Sequence, residues 1–102
     1  MQTASRAYDA RVHEVAFEDL IHGQVVVAFD GRVVEFFKGG RGSINRIHLQ
    51  QLLCEATGPN PKVHYEVKFS IAPWGGGFDL TVTGDNWNRL QPLVAEIYAA
   101  NR

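Results

Sequence analysis

The chain has 102 residues, 45% apolar and 21% charged, with a formal charge of −1. That is one domain's length with enough apolar material for a core. The near-neutral balance argues against a dedicated nucleic-acid binder, whose footprint is strongly basic. No apolar run approaches the roughly eighteen residues of a membrane span, and the single cysteine, Cys54, leaves no intrachain disulfide.

The opening MQTASRAYDA lacks a hydrophobic signal core, so a cytoplasmic setting is expected. Residues 1–22 read as an N-terminal extension of open type. Tyr8, Val12, Val15, Ala16 and Leu20 suit a helix, while Val15 and Phe17 suit a strand. Next comes a hairpin, QVVVAF–Asp30-Gly31–RVVEFF. Asp-Gly between apolar runs predicts a two-residue type I′ turn pairing Phe29 with Arg32, Val27 with Val34 and Val25 with Phe36. One face is then Val25, Val27, Phe29, Val34 and Phe36. The other carries Gln24, Val26, Ala28, Val33, Glu35 and Phe37, too apolar to stand bare. Residues 7–22 or a second copy of the chain are expected to cover it.

The stretch FKGGRGS follows, and then Ile44–Thr57, which is again ambiguous. Leu49, Leu52, Leu53 and Ala56 have helical spacing, but Ile44–Leu49 also suits a short strand before a turn and LLCEAT. Gly58-Pro-Asn-Pro61 is a loop. In Val63–Ala72 strict alternation puts Val63, Tyr65, Val67, Phe69 and Ile71 inward and His64, Glu66, Lys68, Ser70 and Ala72 outward. FDLTVT, Phe78–Thr83, repeats the pattern across PWGGG. Parity requires paired numbers to sum to an odd value, which admits Ile71 opposite Leu80 or Phe78. A C-terminal helix follows, with Asp85 as N-cap and Trp87, Leu90, Leu93, Val94, Ile97 and Tyr98 on one stripe. Pro92 inside it costs about 3 kcal/mol, so either the first turn is loose or the axis bends.

Chemical motifs are thin. GRGSI lacks the last glycine of a nucleophile elbow, and GGRGS is too short for a phosphate loop. HEVAF at residues 13–17 puts Phe17 where HExxH needs its second histidine, so no metal or cofactor is expected. Glu14, Glu18 and Asp19 read as a solvated charge cluster, and Cys54 as a small buried residue. Lys38, Arg41 and Arg46 surround the glycine loop and are candidate anion ligands, since backbone amides freed by glycine assist such a site. Trp74, at a hairpin tip, is a candidate partner anchor. With Val26, Val33 and Phe37 it forms the candidate interaction surface.

In order, QVVVAFDGRVVEFF, RIHLQQLLCEA, KVHYEVKFSI, GGFDLTV and DNWNRLQPLVAEIYAA resemble the small pleckstrin-homology-like domains of bacteria, actinobacteria above all. The resemblance covers roughly Gly23 to Asn101. It implies a mainly β fold with a C-terminal helix: a barrel of two orthogonal antiparallel sheets capped by that helix. On this basis residues 1–102 are a single domain with its core in 23–102. The rival is an α+β fold of α-β-β-α-β-β-α order. The implied role is a non-enzymatic binding module for a protein partner or for self-association. An anionic lipid or phosphate ligand at Lys38, Arg41 and Arg46 is the alternative, and a small α+β enzyme is the second alternative.

Overall fold

The computed structural model describes residues 12–39, 42–72 and 75–101. Among these, seven strands and one helix follow in order: β1 (His13–Asp19), β2 (Gly23–Phe29), β3 (Val33–Lys38), β4 (Ser43–His48), a 3-10 turn (Leu49–Gln51), β5 (Leu52–Thr57), β6 (His64–Ile71), β7 (Gly77–Thr83) and α1 (Gly84–Ala100). The strands form two antiparallel sheets, β1-β2-β3-β4 and β5-β6-β7. The fold is mainly β with a C-terminal helix, but the expected barrel is not closed: among the described residues no strand of one sheet pairs with a strand of the other. The rival α-β-β-α-β-β-α order does not occur among the described residues: residues 44–57 are strand, 3-10 turn and strand, and residues 13–19 are strand.

Period-two patterning dictates which faces meet. Val15, Phe17, Val25, Val27, Phe29, Val34 and Phe36 turn inward from the first sheet, and Val67, Phe69, Phe78, Leu80 and Val82 from the second. Each side chain taken wholly from water contributes about 1.5–3 kcal/mol. Phe36 packs edge-on against Phe69, with centroids 4.9 Å apart, and stacks on Phe78 at 4.4 Å.

β7 crosses the end of the four-stranded sheet. Its first residue, Gly77, accepts a hydrogen bond from Asn45 Nδ2 on β4 (3.2 Å), while Thr81 O accepts from Leu20 N just past β1 (3.0 Å). Four residues of strand span about 13 Å, close to the roughly 14 Å separating the outer strands of a four-stranded sheet. β7 therefore lies across the strand ends. Gly77 lets β7 begin close against β6: with φ +113°, a Cβ there would overlap the Phe69 carbonyl.

α1 runs back along β1. Asn86 Nδ2 donates to Glu18 O (3.1 Å), Glu96 meets His13 Nδ1 (2.5 Å), and Asn101 Nδ2 donates to Leu52 O on β5 (3.3 Å). The helix thus lies along the first strand of one sheet and reaches the first strand of the other, burying Leu90, Leu93, Val94 and Ile97. Covering an edge strand also protects it from unwanted pairing.

Local chemistry corrects several expectations. Asp30 does not form a type I′ turn. Its Oδ1 accepts from Arg32 N and Val33 N (both 2.8 Å), and the loop between the strands is residues 30–32. Phe29 then pairs with Val34, Val27 with Phe36 and Val25 with Lys38, two residues beyond the expected register. A shift of two keeps every side chain on its expected face. In the second hairpin, Phe69 pairs with Phe78 and Val67 with Leu80. The parity rule holds, but Ile71 meets Leu52 instead of either admitted partner. Val63 is not inward: it is 62% exposed with φ +62°, in a turn held by Asn60. The helix N-cap is Thr83, whose Oγ1 accepts from Asn86 N, and Asp85 sits in the first turn. Pro92 lies inside a continuous helix. Both Pro92 and Asn88, whose carbonyl loses its donor, are exposed, so water can satisfy that oxygen. Tyr98 is 47% exposed, off the buried stripe.

Candidate functional site

The outer face of the four-stranded sheet can be built row by row from the strand register. One row crosses β1 to β4 as Glu14, Ala28, Glu35 and Arg46. The next is Ala16, Val26 and Phe37. Val33 lies beyond the first row, and Glu18 stands opposite Gln24 beyond the second. Val26, Val33 and Phe37 are half-buried although they point away from the core. Segment 13–22 does not lie over them, because β1 pairs edge to edge with β2. That part of the expected cover is corrected, and residues 7–11 lie outside the described residues.

Two adjoining grooves mark this face. The larger, about 450 Å³, is lined by Ala16, Val26 and Phe37, with Glu14, Gln24 and Lys38 at its margins. The smaller, about 210 Å³, runs over Val12, Ala28 and Val33 to Asp30 and Glu35. Glu14 and Phe37 belong to both, so the two form one band. Its floor is apolar and its rim carries both signs of charge, the usual anatomy of a protein contact surface.

Of the three expected anion-binding cations, Arg46 is engaged elsewhere. Its Nε lies 3.4 Å from Glu35 Oε2, and the pair is partly exposed. Lys38 lines the larger groove. Arg41 lies outside the described residues, as does Trp74. A cleft of about 540 Å³ at the end of β7 holds Lys68, Ser70 and His22, but Lys68 stands opposite Asp79, which offsets its charge. His22 is fixed there by stacking on Phe78 (4.4 Å) and by a 2.9 Å contact between its Nε2 and Asp79 O.

The expected acidic cluster splits. Glu14 and Glu18 are exposed, but Asp19 is 2% exposed. Its Oδ2 accepts from Ile21 N (3.0 Å) and His22 N (2.9 Å), and its Oδ1 accepts from Thr81 N (2.6 Å). Asp19 is therefore a structural clamp between β1 and β7. Cys54 is half-buried on β5 beside Tyr98. Burial pushes its thiol up to about 11, against a smaller opposite effect from the Tyr98 hydroxyl. The Tyr98 phenol is itself raised, by burial first and then by Cys54. No group of three or more His, Cys, Asp or Glu among the described residues is placed to hold a metal ion, and no described helix is long and apolar enough to cross a membrane.

Sequence reasoning found Val26, Val33 and Phe37 but missed Glu14 and Ala16 as members of the same face. The alternation in HEVAFED was the available signal. No family model matches the chain, and no curated protein matches it.

Proposed function

We propose that this chain is a non-enzymatic protein-binding module with a pleckstrin-homology-like framework, acting in the cytoplasm through the outer face of its four-stranded sheet. Support for the framework comes from the four-plus-three division of strands, from β7 lying across the strand ends, and from the helix spanning both sheets. The observation that carries the function is the row Ala16, Val26, Phe37, which joins Val33 in an apolar band outside the core. A valine and a phenylalanine left partly exposed gain by leaving water, at about 25 cal/mol for each Å² removed.

The test is comparative capture from native lysate with three baits: the intact chain, Val33→Lys and Lys68→Ala. A lysine at position 33 would place a charge in an apolar contact. A partner retained by the intact chain and by Lys68→Ala, but lost with Val33→Lys, supports the reading. Equal retention by all three baits would overturn it.

A further inference from the structure

Resting on the outer-face reading above, we infer that the partner this face fits is a second copy of the same chain, related by a two-fold axis parallel to the strands between β2 and β3. The basis is the pattern of charge in the rows. A two-fold contact sets the same patch against itself, so the patch must complement its own image. An axis between β2 and β3 sets β1 against β4 of the copy, and β2 against its β3. Glu14 then faces Arg46 across the contact, and Arg46 faces Glu14. Val26 faces Phe37, and Phe37 faces Val26.

Axes set on a single strand or a single row fail on charge. An axis along β2 sets Glu14 against Glu35, and one along β3 sets Glu35 against the Glu35 of the copy. An axis running across the strands through the first row opposes Glu14 to Glu14 and Arg46 to Arg46. Run through the second row, it sets Glu14 near Glu18. Of these axes, the one between β2 and β3 alone opposes unlike charges at positions 14 and 46 and sets Val26 on Phe37, with Glu35 over Ala28.

Stacked sheets lie about 10 Å apart, within the combined reach of a glutamate and an arginine, and an aligned pair turns by about 30°. Arg46 retains donors for this second carboxylate, since its link to Glu35 uses Nε. The face measures roughly 20 Å by 20 Å from strand and residue spacings. That is about 400 Å² of projected area on each copy and about 800 Å² in all, below the range of stable specific interfaces, so the dimer is weak and exchanging.

Sedimentation of the full chain from about 1 to 500 µM reads this directly. The intact chain dimerises at the upper end, and less so as salt rises from about 50 to 500 mM. Glu14→Arg makes positions 14 and 46 both basic, and Arg46→Glu makes both acidic. Each variant alone dissociates at least about tenfold more readily, because like charges now oppose twice. An equimolar mixture of the two restores the dimer, because both cross-contacts again join opposite signs. The neutral variants Glu14→Gln and Arg46→Gln weaken the dimer without adding charge, which keeps the test open if a reversal fails to fold.

A dimer indifferent to all four substitutions overturns the proposal, as does a mixture that stays monomeric. An intact chain that is monomeric throughout also overturns it. In that case the capture experiment with Val33→Lys decides separately whether the face serves a different protein.

Discussion

The carboxylate of Asp19 accepts a hydrogen bond from the backbone amide of Thr81, at 2.6 Å and across 62 positions of sequence. The return bond, from Leu20 N to Thr81 O, ties the same corner. Together they join the end of β1 to β7, the strand that crosses the sheet on which the candidate surface lies.

Replacing Asp19 should therefore loosen the corner. Asp19→Ala would strand the amides of Ile21, His22 and Thr81, and Asp19→Asn would set an amide group against amide donors. Each should destabilise by about 1–3 kcal/mol or more, the cost of buried donors without acceptors. Denaturant titration checks this. Unchanged midpoints would show that the clamp contributes nothing.

Val63 should be replaceable with profit. Its φ of +62° is a left-handed conformation that costs a β-branched residue about 1–3 kcal/mol, and its side chain is exposed. Glycine adopts that conformation freely but loses more entropy on folding, so Val63→Gly should gain about 0.5–1 kcal/mol net. A lower melting temperature for Val63→Gly would contradict this reading of the turn.

On β6 the two faces should respond differently. Val67 is fully buried, and Val67→Ala should cost roughly 1–3 kcal/mol through lost burial and a residual cavity. Lys68 is exposed, and Lys68→Ala should stay within about 0.5 kcal/mol. Similar losses for the two in urea would mean that the facing is wrong.

Cys54 should be a sluggish thiol. Burial raises it from 9.0 to about 11, which cuts the thiolate fraction near neutral pH by about 100-fold. Labelling by a disulfide reagent should be correspondingly slow in the folded chain and fast in denaturant. Stability follows the same sign. The unfolded thiol releases its proton near 9 while the folded one holds it to about 11, so this contribution is whole below pH 9 and lost as pH rises through 11. Native labelling as fast as in denaturant would sink the assignment.

The facing of β2, β3, β6 and β7 was legible because alternation survives a register shift of two. The registers themselves were not. Asp30 closes its loop with its side chain, a choice that the Asp-Gly pair alone does not reveal. Segments 7–22 and 44–57 were ambiguous because helical and strand periods coincide over short windows. The second was settled as strand, turn and strand, and the first from residue 13 onward as strand, by pairing with distant partners. The same long-range pairing hid part of the surface. Val26, Val33 and Phe37 share one local hairpin and could be read together. Glu14 and Ala16 join them only through β1, and the role of Asp19 depends on Thr81, far along the chain.

The central claim is that the outer face of the four-stranded sheet is a contact surface. It is tested most directly by amide spectra of the nitrogen-15-labelled chain, recorded over a dilution series and then with added native lysate. The account predicts that Ala16, Val26, Val33 and Phe37 shift or broaden together in at least one of these experiments, while Glu66 and Lys68 stay in place. Changes concentrated on β5–β7, or none in either experiment, would contradict it.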